Sequence, residues 1–479
     1  MSKLRVVAKD ADVEIKEFPF GGMILNRASG LKDQRYINVI FEKVENPAAG
    51  TSRAYVIKRP GLLNYSQPSG GSATGRGVYH WPGTGKIYSV FNNKIWSDTT
   101  DLGVTLTGSS GKVWFDESPQ TFGAGYRLFV SDGVKLYDIN TSDTINVTDT
   151  TDDAQFPTPN LGPVIWFDSY LLFGKANGEI WNSTEDTFAS YSSLDFLAAE
   201  MFGDDLECII RQKDQIIALG KYGIEFFFDN ANTVGSPLLR IDQNALHIGL
   251  TSKNSVATCG DSLCFVGKEK AQGYSVWMIE NLTSCKKVST EQIERILKAE
   301  VSSISSCTAT MFRVSGHMLY ILNLSEGNRT LVYDLTENFW VEWQSALGNK
   351  FNCISATEKD GIIFLQDATN GRVYMFDPNT YQDSGSNFVV TLQTDNYMCE
   401  RPDSKKCSTL EIEGDTTTGN LTASYSDDDY ANFSTPRNID MSLVWKHLER
   451  LGSFIRRAWK FTYTDNFPLR LIKFTLHIK

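Results

Sequence analysis

The chain has 479 residues, of which 46 are Lys or Arg and 57 are Asp or Glu, so its formal net charge at pH 7 is −11. This length exceeds what one hydrophobic core usually serves, and a composition with 41% hydrophobic residues is that of a folded protein, which excludes general disorder. The negative charge argues against a protein that reads nucleic-acid sequence through Lys and Arg, although DNA could still pass nearby.

Residues 1–78 form the first predicted segment, an N-terminal pair of strands followed by a hinge. Residues 35–41 and 53–58 alternate apolar and polar side chains, and the second run ends at Arg59-Pro60-Gly61, which is a turn signal. Residues 67–77 are rich in Gly and Ser. Such a composition predicts a loop or a hinge before the next segment.

Residues 79–384 repeat one strand–turn–strand unit roughly every 40 to 50 residues, a period typical of a β-propeller. Each unit has two alternating runs around a Gly, Asn or Asp turn, which is the chemistry of a β-hairpin. The seven predicted hairpins cover residues 86–90 with 94–96, 126–130 with 134–138, 169–173 with 177–181, 215–219 with 223–227, 262–266 with 274–278, 317–321 with 330–334, and 361–365 with 371–375. Seven hairpins allow a six- or seven-bladed propeller, depending on whether strands from both chain ends close the ring; an ordinary β-sandwich pair is the alternative.

Two stretches inside this segment predict helices. Residues 194–200 suggest a short one. Residues 290–299 predict a firmer one, with Ser289 as N-cap, Gln292 three residues on as in a capping box, and a one-sided apolar stripe at Ile293, Ile296 and Leu297. We expect this helix to fill a connection between blades.

The hairpin period stops near residue 385, and a new alternating pattern begins. Its predicted strands cover residues 387–392, 407–412, 420–426, 459–464 and 469–476. Alternation of this kind suits two facing sheets. The fold class is therefore all-β, with a C-terminal β-sandwich-like domain at residues 385–479 after the propeller.

The cysteines indicate neither a metal site nor a disulfide framework. All eight are scattered, and none falls in a C-x-x-C pair: Cys208, Cys259, Cys264, Cys285, Cys307, Cys353, Cys399 and Cys407. We expect buried free thiols that pack as small apolar groups. Residues 1–10 lack the apolar region of a secretory signal, and no stretch reaches 18 apolar residues, so we expect synthesis in a cytosol.

Histidine and glycine motifs give no catalytic, cofactor-binding or metal site. The five histidines are far apart and follow no metal-binding or triad spacing: His80, His247, His317, His447 and His477. Pro82-Gly83-Thr84-Gly85-Lys86 resembles a phosphate-binding loop, but Ile87 stands where Ser or Thr is needed and a strand follows instead of a helix, so we predict a turn. The Gly-rich residues 70–75 likewise lack the preceding strand and following helix of a phosphate-binding loop.

Carboxylates were the remaining candidates for chemistry. Asp427-Asp428-Asp429 lacks the Gly and the distal Glu of a calcium loop, so we predict a solvated hairpin tip. A propeller glycosidase would need carboxylates from separate blades facing one channel, which sequence alone cannot show. Four aspartates at similar blade positions instead suggest repeated turn or cap roles: Asp168, Asp229, Asp334 and Asp377.

Several of these stretches together resemble the tail-nozzle, or packaged-DNA-stabilisation, proteins of short-tailed bacteriophages. The resemblance is carried by residues 35–39, 55–62, 214–226, 247–250, 289–297 and 445–457, and it spans nearly the whole chain. His447 and Leu448 depart from the spacing that is commoner in the closing region. No active site travels with this family, so no catalytic residues are carried over.

The resemblance implies a structural virion protein, made in the host bacterial cytoplasm, that forms a hexameric ring. This ring would lie below the portal and its head-to-tail adaptor, close the head after packaging, and surround a channel for ejection of double-stranded DNA. A tailspike or tail fibre would bind at the side and a needle or plug protein below. The alternative is a propeller hydrolase that acts on host polysaccharide; a peptide-binding propeller scaffold is weakened because the WD dipeptide is missing.

Two sequence features could serve such an assembly. The aromatic segments at residues 226–228 and 339–343 could lie at interfaces, or they could form the blade core. The strongest basic cluster is Arg450, Arg456, Arg457 and Lys460. It could face DNA, pair with an acidic neighbour, or form salt bridges between subunits.

Overall fold

The computed structural model describes residues 14–20, 34–46, 51–123, 125–232, 234–270, 272–280, 284–300, 302–398 and 405–479. The chain folds into two compact units. Unit 1 comprises Met1–Gly61, Phe339–Gly348 and Pro378–Lys479, and unit 2 comprises Leu62–Asn338 and Asn349–Asp377. The N-terminal residues that were examined for a signal, 1–10, and Cys399 lie outside the described residues.

These units differ from the predicted ranges 1–78, 79–384 and 385–479 for a reason visible in the strand pairing. Val39–Asn46 pairs with Thr51–Lys58, which in turn pairs with the last strand of the chain, Arg470–Ile478. The N-terminal strands therefore belong to the same unit as the C-terminal ones. Unit 2 already begins at Leu62, before the Gly- and Ser-rich loop.

Unit 2 is the β-propeller, and it is built from sheets that follow one another along the chain. Each of the seven predicted hairpins forms two adjacent antiparallel strands, and we call each hairpin with the strands that flank it along the chain a blade. The strands are Gly75–Trp81, Lys86–Phe91, Lys94–Ser97 and Thr100–Thr105 in blade 1; Trp114–Glu117, Arg127–Ser131, Leu136–Asn140 and Ile145–Thr148 in blade 2; Val164–Phe167, Tyr170–Gly174, Glu179–Asn182 and Phe196–Ala198 in blade 3; Leu206–Gln212, Gln215–Gly220, Ile224–Asp229 and Leu238–Arg240 in blade 4; Ile248–Leu250, Ala257–Cys259, Ser262–Glu269, Tyr274–Glu280 and Ser284–Lys287 in blade 5; Thr308–Val314, His317–Leu324 and Arg329–Asp334 in blade 6; and Cys353–Lys359, Ile362–Asp367 and Val373–Asp377 in blade 7. Counted in this way within the described residues, the propeller has seven blades, one of the two numbers that the sequence allowed.

The ring closes between blade 7 and blade 1. The backbone N–H of His80 in blade 1 donates to Thr357 Oγ1 in blade 7 at 2.9 Å, and Gln366 Nε2 donates to the carbonyl of Val90 at 2.9 Å. The strand Gly61–Ser66 lies beside Val373–Asp377, so the last blade combines strands from both ends of unit 2. Such closure protects sheet edges that would otherwise be left open.

The packing between blades explains the apolar alternation. In each sheet the apolar side chains that face a neighbouring blade are buried, as with Leu172, Ile209 and Phe227 between blades 3 and 4. The turns follow the predicted chemistry, since Asn92 and Gly133 have positive φ angles of 52° and 86°. These residues allow the tight hairpins that set the strand register.

One helix prediction is confirmed and the other is wrong. The α-helix Glu291–Ala299 buries Ile293 and Leu297, but its N-cap is Thr290, whose side chain accepts from the N–H of Ile293. Residues 194–200 contain the strand Phe196–Ala198, because Phe196 pairs with Trp181 and stacks on its ring at 5.1 Å. Short 3-10 helices occur at Asp242–Asn244, Lys253–Ser255 and Ile304–Ser306. Among the described helices, none is long and apolar enough to span a bilayer.

Unit 1 is the predicted β-sandwich, enlarged by strands from the N-terminal region. One sheet contains Val39–Asn46, Thr51–Lys58, Arg470–Ile478, Lys405–Gly414 and Lys446–Glu449, with Glu14–Pro19 and Ser453–Phe454 at its sides. The other contains Phe339–Trp343, Arg35–Ile37, Val390–Gln393, Arg456–Tyr463, Asn420–Ser426 and Arg437–Asp440, with Tyr397–Met398 beside it. Gln382–Asp383 and Ser386–Asn387 form a small hairpin. Phe461 and Phe474 pack between the sheets with ring centroids 5.4 Å apart.

The strand predicted at residues 35–41 is broken at Asn38. This residue has a φ of 60°, which sends Arg35–Ile37 into one sheet and Val39–Asn46 into the other. Asn38 Oδ1 accepts from Arg59 Nε at 3.0 Å and from the N–H of Gln344 at 2.8 Å. Asn tolerates this left-handed conformation better than other residues that have a side chain.

Candidate interaction surfaces

Three of the histidines contact neighbouring side chains of the fold. His317 Nδ1 lies 2.7 Å from Asp334 Oδ2 at the start of a blade 6 strand, and the ring of His447 stacks on Trp445. His477 Nε2 lies 3.3 Å from Glu411 Oε1. Within the described part of the chain, no group of three or more His, Cys, Asp or Glu side chains could hold a metal ion.

Two of the blade aspartates have local structural roles. Asp168 occupies a turn with a φ of 44°, and the neighbouring Asp229 raises its pKa. Asp334 Oδ1 caps the N–H of Thr336 at 2.9 Å. Asp168 and Asp334 therefore have the predicted turn and cap roles.

The glycine and aspartate motifs lie in turns, as predicted. Residues 82–85 join the first two strands of blade 1, with Gly85 at a φ of 69°. Asp427, Asp428 and Asp429 follow the strand Asn420–Ser426. They are not a purely solvated tip, because Asp427 and Asp429 pair with arginines of the same unit.

Two arginines of the basic cluster, Arg456 and Arg457, pair with aspartates of their own unit. The guanidinium of Arg457 is buried and forms two hydrogen bonds with Asp427, at 2.7 and 2.8 Å. Arg456 pairs with Asp429 at the surface, and Lys460 lies over the ring of Phe433 at 5.3 Å. Of the three roles considered for these residues, pairing with an acidic neighbour is therefore the one that Arg456 and Arg457 adopt.

The aromatic segments belong mainly to the core. Phe226 and Phe227 are buried in blade 4, while Phe228 is partly exposed. In the strand Phe339–Trp343, every aromatic side chain is buried. Neither segment presents the contiguous exposed aromatic surface that an interface would require.

An exposed apolar surface occurs instead in unit 1, where the sequence analysis did not place one. Val444 is 92% exposed, Trp445 58%, Leu443 52% and Ile15 58%. Val444, Trp445 and Ile15 line one cleft of about 420 Å³, and Leu443 adjoins it in sequence. We call these four residues the Trp445 surface. Contiguous exposed apolar side chains commonly mark a site of protein–protein contact.

The Trp445 surface is held in place by the strands beneath it. Trp445 precedes the strand Lys446–Glu449, which pairs with Lys405–Gly414. Its indole Nε1 donates to Glu411 Oε1 at 3.2 Å, and its ring stacks on His447 with centroids 3.7 Å apart. An aromatic side chain fixed in this way loses little further freedom on binding, which suits an interface anchor. The apolar run Leu443-Val444-Trp445 is the feature of the sequence from which this surface could have been predicted.

Charged side chains surround the same cleft. Glu17, Glu411 and Glu413 line it together with Lys473, whose ammonium lies 2.8 Å from Glu17 Oε1 and 3.3 Å from Glu413 Oε2. These two contacts raise the pKa of Lys473, and the hydrogen bond that its ammonium donates to Glu17 has the larger effect. The cleft thus combines an apolar centre with a charged rim, the usual organisation of an interface.

Unit 2 has exposed apolar residues of its own on blades 3 and 4. Val234 is 83% exposed and Leu194 is 70% exposed. The two loops are neighbours, because a Cβ on Gly235 would lie 3.6 Å from the carbonyl oxygen of Leu194. We call Leu194 and Val234 the Val234 surface.

A family model described as "Bacteriophage P22 Gp10, beta-propeller" matches residues 27–381, about three quarters of the chain. The chain belongs to this family. It is therefore a structural tail-type protein of a bacteriophage, and the match covers the propeller together with the first strands of the sandwich. A search of curated proteins gave no match.

Solved structures resemble the chain only distantly. A chain from the crystal structure of BBS1N in complex with ARL6DN is 13% identical, with a TM-score of 0.42, and the match covers 67% of this chain and 98% of that one. The N-terminal domain of Nup159 is 9% identical, with a TM-score of 0.40, and covers 72% of this chain and 100% of that one. At this level of similarity no function is transferred.

Proposed function

We propose that this family member forms the hexameric tail nozzle below the portal and adaptor, closes the head after packaging, and provides the channel for genome ejection. The observation that carries the proposal is the family match over residues 27–381. The Trp445 surface supports it, because a ring subunit needs exposed apolar residues that become buried on assembly.

The proposed partners follow from this position. Copies of the chain would form the ring, with the head-to-tail adaptor above, a tailspike or fibre at the side and a needle or plug below. Double-stranded DNA would pass without sequence recognition. The net charge of −11 supports passage without retention, since strong DNA binding depends on Lys and Arg that neutralise phosphates.

The test is the mass of the purified chain, alone and with the adaptor, by native mass spectrometry and negative-stain imaging. We expect a six-fold ring, formed by the chain alone or on the adaptor. A chain that stays monomeric in both conditions would overturn the proposal, and glycan-cleavage assays would then become the next step for the hydrolase alternative.

Variants of the Trp445 surface make the same test specific. We expect Val444→Asp, at a position that is 92% exposed, to leave folding intact and to block ring formation, because a buried interface does not accept an unpaired charge. The matched control is Val134→Asp, in the blade 2 turn, where the side chain is 37% exposed and lies outside both named surfaces. If both variants assembled like the unmodified chain, the Trp445 surface would not be a ring contact.

A further inference from the structure

Unit 2 contains a cleft of about 470 Å³ whose lining includes no residue of the Trp445 surface or the Val234 surface. The cleft lies where the first strands of blades 2, 3 and 4 adjoin, Trp114–Glu117, Val164–Phe167 and Leu206–Gln212, with the blade 5 turn at Asp261 beside them. Its volume is within the range of about 300–1,000 Å³ that is usual for small-molecule sites.

A carboxylate and a guanidinium group are fixed in the cleft wall by the backbone of Trp166. The N–H of Trp166 donates to Asp116 Oδ2 at 2.7 Å, and its carbonyl accepts from Arg211 Nη1 at 3.1 Å. Asp116 Oδ1 accepts from the N–H of Glu117 at 2.9 Å. Arg211 Nε donates to the carbonyl of Lys213 at 3.0 Å. Backbone groups therefore hold both side chains, and neither forms a salt bridge with a described residue.

Asp116 and Arg211 both line the cleft and can form further hydrogen bonds. Each oxygen of a carboxylate can accept more than one hydrogen bond, and a guanidinium has five N–H donors, of which Arg211 uses two within the described part of the chain. The indole of Trp114 lines the same cleft, and its Nε1 has no hydrogen-bond partner among the described residues. A bound molecule would thus meet a fixed acceptor and two groups of donors.

The charges in the cleft wall offset one another. Asp261 pairs with Lys213 at 3.1 Å. Burial raises the pKa of Asp116 to about 6, so at pH 7 its carboxyl is mostly ionised and offsets the charge of Arg211. Two carboxylates and two cations leave no net charge in the lining. Such a wall favours neither an anion nor a cation, whereas a neutral molecule with several hydroxyls can use the acceptor and the donors together.

Apolar side chains complete the lining of the cleft. Trp114 packs against the buried cluster between blades 2 and 3 and against the one between blades 4 and 5. Pro163, Ile165 and Ile210 line the cleft with it. A sugar ring has apolar C–H faces as well as hydroxyls, and aromatic and aliphatic side chains can remove those faces from water. The lining therefore has the two kinds of surface that a sugar presents.

We propose that this cleft binds a neutral saccharide. Hydroxyls of the sugar hydrogen-bond to Asp116 and Arg211, and a C–H face of its ring lies against the apolar wall that includes Trp114. Binding alone is proposed, and no catalytic residue is assigned. The cleft lies within unit 2, and its ligand does not depend on the nozzle proposal.

The experiment measures binding of four neutral disaccharides to the purified full-length chain at pH 7: maltose, cellobiose, lactose and N,N′-diacetylchitobiose. Saturation-transfer difference NMR detects binding, and isothermal titration calorimetry gives the dissociation constant. We expect at least one of the four to bind at millimolar concentration. No binding by any of them would overturn the proposal.

Variants of the cleft locate the binding. Arg211→Met should weaken binding of the tightest-binding disaccharide about tenfold, because hydrogen bonds from a charged donor are lost. The matched control is Arg295→Met on the helix Glu291–Ala299, where the arginine is 51% exposed and lies outside the cleft, and it should bind like the unmodified chain. If Arg211→Met does not fold, Asp116→Asn, which removes the charge of the acceptor, should also weaken binding. Equal affinity of the cleft variants and the control would overturn the proposal.

Discussion

Arg457 offers the sharpest test of how unit 1 is held together. Its side chain is 1% exposed, its guanidinium forms two hydrogen bonds with Asp427, and Nη1 donates to the carbonyl of Leu451 at 2.6 Å. It also stacks on Tyr425 at 3.7 Å from the ring centroid. Replacement with Ala would remove all four contacts and leave Asp427 and a buried carbonyl without their partner.

The expected magnitude follows from these contacts. Breaking a buried ion pair costs about 3–5 kcal/mol, but the Asp427 side chain is 38% exposed and can regain water, so the lower end applies. We therefore expect Arg457→Ala to lower the free energy of unfolding by about 3 kcal/mol. In a unit of roughly 150–250 residues, 1 kcal/mol shifts Tm by about 2–4 °C, which gives a decrease of about 6–12 °C.

The neighbouring residue provides the matched control. Arg456 pairs with Asp429, but both side chains are largely hydrated, at 44% and 50% exposure. Surface pairs contribute about 0–1 kcal/mol, so Arg456→Ala should lower Tm by no more than about 4 °C. Both variants are compared with the unmodified chain by scanning calorimetry. Equal shifts in the two variants would refute the reasoning that burial, and not charge alone, determines the effect.

Three further predictions concern other parts of the fold. Asn38→Ala should be less stable than Asn38→Gly by about 1 kcal/mol in urea denaturation, because both lose the side-chain hydrogen bonds but only Ala is strained at a φ of 60°; equal stability would show that the left-handed backbone is not maintained. Burial raises the pKa of Asp116 to about 6, so the stability associated with its neutral form is present at low pH and is lost as pH rises from about 4 through 6. Relative to the unmodified chain, Asp116→Asn should thus gain up to about 3 kcal/mol between pH 4 and pH 7 in urea denaturation, and a difference independent of pH would contradict this. Gly249→Ala would place a Cβ 1.8 Å from the carbonyl oxygen of Lys221 and should lower the free energy of unfolding by about 1–3 kcal/mol, whereas Gly273→Ala meets nothing within 4 Å and should leave Tm nearly unchanged.

The hairpins of the propeller could be predicted because the residues that form each hairpin lie close together in sequence. Each hairpin consists of two alternating runs joined by a turn, often with a residue that accepts positive φ, such as Asn92 or Gly133, and both runs lie within 11 to 18 residues. The blade number needed one non-local fact, the placement of Gly61–Ser66 beside Val373–Asp377. Alternation alone cannot show which distant strand will be a neighbour.

The two wrong secondary-structure predictions arise because contacts in the folded unit outweigh the local sequence pattern. Residues 194–200 have a helical composition, yet Phe196–Ala198 forms a strand because pairing with Glu179–Asn182 outweighs a weak local preference. The strand at residues 35–41 looks continuous in sequence, and only the contacts of Asn38 in the folded unit show the break.

The buried arginines connect the fold with the proposed function. Arg59, Arg76 and Arg457 are each no more than 1% exposed. Arg76 donates to the carbonyls of Asn92, Gly108, Ser110 and Gly111, and Arg59 forms two hydrogen bonds with Asp383. Because these guanidinium groups hold loops and strands together, they are not available to phosphates at the surface. A net charge of −11 is compatible with the proposed nozzle role, since clustered exposed Lys and Arg would bind DNA phosphates.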